Sequence, residues 1–321
     1  MVSDIRADGA SNVIDGPLLD RTDPSLARPL ATGLGSARSD VVAACQELAT
    51  VPESALANEW AWTGEGSGAE VRYGAYRAAE LLEEAEVMAS ALVATEDARD
   101  DVAARIVSKA TSARWDLHGL LFPLDDSLLD ADPGSGEWSI RLTMGHVISG
   151  QRAYGWGTAW WLSNPFDARD PAMPRGVPDE MWETLPDEAT TEAEGTVADL
   201  RARLDSVLDL TAERLAGLTD GTLELGARWM GFPITIGFRL GRWSSHIREH
   251  SIQIEKTLAM LGSVPGERER LVRHVLSAYG RSEAAVFGRK LTPKVDEAAH
   301  GIAGAAAEAR SMMSSAARAA V

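Results

Sequence analysis

Residues 238–262 read FRLGRWSSHIREHSIQIEKTLAMLG and form one uninterrupted helical pattern that Gly262 ends. The segment contains two of the six histidines of the chain, His246 and His250. At about 100° per residue, a spacing of four residues puts both imidazoles on one face of the helix. That face also carries three apolar side chains, those of Trp243, Ile254 and Leu261. Both histidines are therefore expected to point toward the protein interior.

Two interior histidines on one helix favour a metal site. Burying two imidazoles without partners costs free energy, and one metal ion satisfies both, because neutral imidazole is a common metal ligand. Such a pair needs a third ligand from another element. His146 is the best candidate, since its neighbours Met144 and Val147 also look interior. His118, near the end of another predicted helix, is the competing candidate.

The segment His246–His250 also matches the H-x-x-E-H motif of inverted zinc proteases, in which Glu249 would act as the general base. Three fixed positions in five residues match often by chance. The protease also needs a further acidic ligand downstream in a large mixed domain, whereas residues 251–321 look helical and rich in alanine. A zinc hydrolase is therefore the remote alternative.

Most of the remaining chain has helical periodicity, and alternating strand patterns are almost absent. A short helix is expected from Ser39, and a long helix after the loop at 163–189 is expected to begin at a capping box formed by Thr191 and Glu194. Longer helices are predicted at residues 69–95, 97–121, 139–162, 238–261 and 266–289, and residues 296–320 read as a surface helix or a disordered tail. The predicted class is all-α, a bundle with helical additions.

Composition excludes several classes of function. The 321 residues carry 31 lysines and arginines against 48 aspartates and glutamates, a net charge of −17, which argues against nucleic acid and anionic membranes as partners. No apolar stretch is long enough to span a bilayer, and residues 1–16 lack the pattern of a signal peptide. The single cysteine, Cys45, rules out an internal disulfide. We therefore expect a cytoplasmic protein.

Two segments resemble motifs of the DinB/YfiT-like proteins. Residues 137–147, EWSIRLTMGHV, are similar to the Trp-Ser start of the second helix in that family, which a histidine follows. Residues 246–254, HIREHSIQI, are similar to the H-x-x-x-H-x-x-Q segment of its fourth helix. The order of the predicted helices and the long connection between the second and third of them also fit.

This resemblance implies an up-down-down-up four-helix bundle over residues 97–262. A flexible arm at 1–35, a helical extension at 36–96 and a second extension at 263–321 would then flank it. Carried over residue by residue, the resemblance also implies a divalent metal held by three histidines, His146, His246 and His250, with positions left open for water or substrate.

Family members of assigned activity are mostly enzymes that use mycothiol or bacillithiol, as thiol transferases or isomerases. The resemblance thus implies a metal-dependent enzyme that acts on a small-molecule substrate with a low-molecular-weight thiol. The donor set suits Zn, Ni or Fe(II). Because Cys45 lies outside the predicted bundle, the thiol would come from a co-substrate. The alternative is a non-catalytic module for binding or dimerisation with a structural metal site, and a homodimer fits either case.

Other residues near the histidines have two interpretations each. Arg242 and Arg248 would hold a substrate carboxylate or lie on a solvated face, and Glu249 would support a histidine or be a surface charge. Outside the bundle, residues 59–62 and 72–77 faintly resemble residues 137–138 and 151–156. A second half-bundle completed by the 266–289 helix is therefore an alternative to helices that pack on the bundle or form a dimer interface.

Overall fold

The computed structural model describes residues 18–19, 23–62, 68–95 and 102–320. Residues 1–17, about half of the predicted N-terminal arm, lie outside this part. None of the helices in the described part is long and apolar enough to cross a membrane.

The regular structure of the described residues is helical apart from two small hairpins, which confirms the predicted all-α class. Its ten helices are α1 Thr32–Ala49, α2 Val71–Val93, α3 Val102–Leu121, α4 Ile140–Ser163, α5 Asp179–Trp182, α6 Val197–Leu215, α7 Asp220–Leu223, α8 Ile236–Met260, α9 Glu267–Val286 and α10 Pro293–Ala319. Its antiparallel strand pairs are β1 Glu59–Trp60 with β2 Ala69–Glu70, and β3 Gly226–Trp229 with β4 Phe232–Thr235.

Helices α3, α4, α6 and α8 form a four-helix bundle, here called the central bundle. Side-chain contacts give their directions. His118 of α3 contacts Asp205 of α6. Arg114 lies one turn earlier on α3 and contacts Asp209, one turn later on α6, so these two helices are antiparallel. The starts of α4 and α6 lie together, where Arg141 donates to the carbonyl oxygen of Gly195. Helix α8 is antiparallel to α4. The order is therefore up-down-down-up, as predicted.

The helices at the two ends of the chain, α1, α2, α9 and α10, pack with one another as a second bundle, here called the terminal bundle. Helix α10 runs parallel to α1, since Gly33 lies against Ala299 and Asp40 pairs with Arg310. Helix α2 is antiparallel to α10 and parallel to α9. This bundle has the same up-down-down-up order, and the whole central bundle lies in the connection between its second and third helices.

A buried polar network joins the two bundles. The guanidinium of Arg114 on α3 is fully buried and pairs with Asp209 on α6 at 2.7 Å and with Glu283 on α9 at 2.6 Å. Arg38 on α1 pairs with the same two carboxylates. The Tyr279 hydroxyl donates to Glu283 at 2.7 Å. Because each charge in this network has an opposite charge beside it, burial of the network is compatible with a stable core.

Two helix boundaries illustrate local rules. Ser139 caps α4, since its hydroxyl accepts a hydrogen bond from the backbone N–H of Leu142, as expected. The predicted start of α6 at Thr191 was wrong. Its capping box is formed by Thr196 and Asp199, five residues after Thr191, because Gly195 has a φ of +101° and ends the preceding turn there.

The C-terminal tail is a continuous helix, α10, rather than a disordered segment. It packs against both α1 and α2 and buries a stripe of small side chains. Helix α1 begins at Thr32, and both Leu18 and Leu19 are buried in the core. The ends of the chain therefore contribute to one continuous hydrophobic core.

Candidate metal centre

Three histidines from two antiparallel helices meet at one point of the central bundle. The Nε2 atom of His246 lies 3.3 Å from Nε2 of His146 and 3.2 Å from Nε2 of His250. All three rings offer a ligand atom within 4.8 Å of one another. His246 and His250 share a face of α8 as predicted, and His146 on α4 faces them across the helix pair. The sequence-predicted trio is thus brought together.

The opposite ring nitrogen of each histidine has its own partner. Nδ1 of His146 lies 2.9 Å from the carboxylate of Glu188, and Nδ1 of His250 lies 2.7 Å from Oε1 of Gln253. Both oxygens can only accept, so both rings carry their proton on Nδ1. Their Nε2 atoms are then bare lone pairs that face each other, which is the tautomer that binds a metal.

The third ring tests whether the site fits a metal. Gln151 places its side-chain amide nitrogen 3.2 Å from Nδ1 of His246, while its own Oε1 is buried with no hydrogen-bond partner in the described structure. A half-turn of this amide would direct Oε1 to Nδ1 and allow the proton there. Two nitrogens bound to one metal at about 2.1 Å lie about 3.0–3.4 Å apart. The two separations from Nε2 of His246, 3.3 and 3.2 Å, lie in this range, so the residues fit a divalent ion.

The electrostatic setting keeps the rings of His246 and His250 neutral. Burial, reinforced by the neighbouring rings of His250 and His146, lowers the pKa of His246 to about 3. Burial also lowers the pKa of His250, against the hydrogen bond that its Nδ1–H donates to Oε1 of Gln253, which raises it. A neutral imidazole is the form that ligates metals, so the site does not need to lose a bound proton from these two rings at neutral pH.

Close packing fixes the imidazole of His246. A Cβ atom on Gly150 of α4 would lie only 2.5 Å from Cε1 of that ring, so the ring occupies the space that a side chain would fill. The Trp138 ring lies edge-on to His146, with the ring centres 5.3 Å apart. Tyr154 contacts His246 in the same way at 5.5 Å. These contacts hold the donor atoms in place without a metal.

The cluster lines a cavity of about 620 Å³ that opens to solvent. Its walls come from α4, from the loop before and into α5, from the β3–β4 hairpin and from α8. They include aromatic side chains and several arginines: Tyr154, Trp182, Trp229, Arg175, Arg228, Arg239 and Arg242. The volume suits a small organic molecule. His146 keeps 31% of its side chain exposed, so the donor set is accessible from the cavity.

The residues with two interpretations can now be placed. Arg242 forms a two-bond pair with Glu249, at 2.7 and 3.0 Å, and stacks over the ring of Trp229. Glu249 is therefore held by an arginine, which argues against its role as a protease general base. Arg248 is exposed and does not line the cavity.

The competing candidate, His118, lies elsewhere. It is fully buried near the polar network around Arg114 that joins the two bundles, here called the joint. Its Nε2 lies 2.8 Å from the carboxylate of Asp205. Cys45 is buried in α1, and burial raises the pKa of its thiol to about 12. Neither residue is near the three-histidine cluster.

Sequence reasoning missed four residues of the site: Gly150, Gln151, Glu188 and Arg239. Gln253 was visible in the sequence as the last residue of the H-x-x-x-H-x-x-Q segment, one turn after His250. Glu188 had no such signal, because it reaches His146 from the long loop between α4 and α6, whose path is set by tertiary packing. Gly150 and Gln151 lie one turn beyond His146, and only the helix pair shows their contact with His246.

Comparison with known proteins agrees with this geometry. The family model described as DinB superfamily matches residues 110–254, which include all three histidines of the cluster. No curated protein and no solved structure matches the chain. The match spans nearly the whole central bundle and leaves the terminal bundle outside it, so we conclude that this chain contains a DinB-like domain.

Proposed function

We propose that the chain is a metal-dependent enzyme of the DinB type, which holds a divalent ion on His146, His246 and His250 and acts on a small organic molecule with a low-molecular-weight thiol. One observation carries this proposal: the three Nε2 atoms converge at the wall of an open cavity of about 620 Å³. A structural metal site is usually closed by protein ligands, whereas a catalytic site keeps a position free.

A divalent ion on three neutral imidazoles would supply a full +2 charge, which lowers the pKa of a bound thiol or water. Other side chains would orient the histidines and contact the substrate. Glu188 and Gln253 hold the proton of two histidines on Nδ1 and so orient their Nε2 atoms. Trp229 and Trp182 offer apolar contact area for a substrate. Zn, Ni and Fe(II) all suit this donor set.

The thiol would come from outside the protein. Cys45 is the one cysteine of the chain, it is buried in the terminal bundle, and its raised pKa keeps it protonated. The resemblance to mycothiol- and bacillithiol-dependent enzymes supports a small thiol as the co-substrate. The reaction would be a thiol transfer or an isomerisation. A cytoplasmic location and a homodimer stay predictions.

The first experiment is elemental analysis of the purified protein. We expect about one divalent ion per chain in the wild type and its loss in the His146→Ala, His246→Ala and His250→Ala variants. His300→Ala is the matched control, since that histidine is exposed on α10, and it should keep its metal. Full metal retention in all three cluster variants would end the proposal.

A second experiment separates an enzyme from a non-catalytic module. The protein is substituted with cobalt, and mycothiol or bacillithiol is titrated in while the visible absorption spectrum is followed. An open coordination position predicts a new sulfur-to-cobalt band at low thiol concentration. A spectrum that neither thiol changes would show a closed, inert site and favour the structural module.

A further inference from the structure

The cavity beside the histidines is positively charged although the chain as a whole carries a net charge of −17. Four arginines line it against two carboxylates, and one arginine, Arg242, is neutralised by Glu249. The second carboxylate, Asp179, is exposed and forms no ion pair with the arginines of the cavity among the described residues, so the lining keeps a net positive charge. The other three, Arg175, Arg228 and Arg239, have no carboxylate within ion-pair distance among the described residues. In an acidic protein, uncompensated arginines that share one cavity indicate a site for an anion.

Arg239 carries most of this argument because it is buried. Its side chain is only 5% exposed, and two of its nitrogens donate at 3.1 Å to backbone carbonyl oxygens, those of Arg228 and Ala153. Its Nε–H has no hydrogen-bond partner in the described part of the chain. A Cβ atom on Gly157 would lie against the guanidinium, so α4 leaves room for it. The fold thus accommodates a charged group and leaves part of it unsatisfied.

Such an arrangement is costly without a ligand. Burial lowers the pKa of Arg239 to about 10, so the group still carries its charge at neutral pH. An unpaired buried charge is strongly destabilising in general. The two hydrogen bonds to carbonyl oxygens satisfy N–H groups of Arg239 but do not neutralise its charge. An anion in the cavity would supply the missing partner.

Arg239 lies close enough to the histidines for one small molecule to reach both. Arg239 precedes His246 by seven residues on α8, so both lie on nearly the same stripe of the helix. At about 1.5 Å per residue their Cα atoms are about 10 Å apart. Trp229 on the hairpin and Tyr154 on α4 also line the cavity, with Tyr154 next to both Arg239 and His246.

We propose that Arg239, supported by Arg228 and Arg175, binds the carboxylate of an organic-acid substrate, whose other end reaches the three histidines. The role as a substrate subsite rests on the proposed function, but the anion site itself does not. A carboxylate fits better than a phosphate, because its single negative charge suits a cavity that also contains Asp179 and Glu249. The aromatic walls suit the carbon chain of such an acid.

The test is calorimetric titration of the full-length protein with straight-chain carboxylates of four to eight carbons, each paired with its primary amide. We expect at least one carboxylate to bind tenfold or more tightly than its amide, and Arg239→Met to remove this preference. Arg248→Met is the matched control, since Arg248 lies on the same helix outside the cavity and should leave the preference unchanged. Inorganic phosphate is titrated in parallel.

Three results would overturn the proposal: equal binding of every acid and its amide, tighter binding of phosphate than of any carboxylate, or a preference that survives Arg239→Met. If Arg239→Met does not fold, Arg175→Gln on the exposed rim replaces it and should weaken the preference severalfold. The titration is repeated after the metal is stripped by a chelator. A carboxylate preference without any metal would uphold this site even if the proposed function failed. Metal binding by the three histidines without a carboxylate preference would uphold the metal site and overturn this one.

Discussion

The two bundles follow the same up-down-down-up path, yet their interiors are filled differently. In the terminal bundle, α10 has alanine at five of its eight buried positions. In the central bundle, α4 and α8 bury large aromatic side chains such as Trp156, Trp161 and Trp243. Small side chains let helix backbones pack closely, whereas glycines of α4 in the central bundle make room for side chains of α8. The difference indicates that one bundle is a support and the other bears the site.

The glycines make the same contrast. Gly74 in the terminal bundle lets α10 approach, since an added Cβ would lie 2.7 Å from that of Ala316. Gly150 in the central bundle makes room instead for the imidazole of His246, and Gly157 for the guanidinium of Arg239. Equivalent small residues thus serve backbone packing in one bundle and the placement of polar groups in the other.

The largest expected effect concerns the joint between the bundles. Arg114→Met removes a fully buried guanidinium from Asp209 and Glu283, and we expect the free energy of unfolding to fall by about 3 kcal/mol, since breaking a buried pair leaves a charge poorly compensated. Urea denaturation measures this change. Arg310→Met, which breaks an exposed pair with Asp40, is the control and should cost at most about 1 kcal/mol. Equal losses in both would show that the buried pairs of Arg114 stabilise the fold no more than an exposed pair does.

The next effect concerns metal affinity alone. Glu188→Ala removes the carboxylate that orients His146, and we expect the dissociation constant for Zn²⁺ to rise about 10–100-fold. Competition with a zinc-binding dye measures it. Because Glu188 is partly exposed, the melting temperature should change little. Unchanged affinity would show that the ring needs no partner on Nδ1.

A pair of glycine variants compares the bundles directly. Gly74→Ala is expected to lower the free energy of unfolding by about 1–2 kcal/mol through overpacking against Ala316, partly offset by better helix propensity. Its metal content should stay at the wild-type level. Gly150→Ala should displace the His246 ring and weaken Zn²⁺ binding about tenfold. Thermal melts and dye competition on both proteins give the two readouts, and weakened metal binding by Gly74→Ala would contradict the division of roles.

The smallest effect is a dependence of stability on acid. Neighbouring His118 and Arg114 hold the pKa of Asp205 well below its ordinary value of 3.8, although burial opposes this. Since the folded-state pKa is lower than the unfolded one, the carboxylate stabilises the fold above about pH 4 and this contribution is lost as the pH falls further. Asp205→Asn should therefore be less stable at pH 7 and lose less stability between pH 4 and pH 2. Parallel slopes in acid unfolding would contradict this.

The sequence by itself determined the helices and the central trio. Helical periodicity is local, so α8 and its stop at Gly262 were predictable, and a spacing of four puts His246 and His250 on one face whatever the surroundings are. His146 was the best third candidate from its apolar neighbours, and the family resemblance implied the same trio. The misplaced cap at Thr191 shows the limit of short motifs, because a nearby threonine with an acidic residue three positions later competed for the same role.

Only the tertiary structure decided which distant groups meet. It joined the two chain ends into one bundle, moved His118 into the joint beside Asp205, and brought Glu188 from a loop to His146. No local sequence pattern marked Arg239, and only packing against α4 and the hairpin buries it beside a cavity. The physical reason is that burial and charge pairing depend on contacts between residues far apart in the chain, which no local pattern encodes.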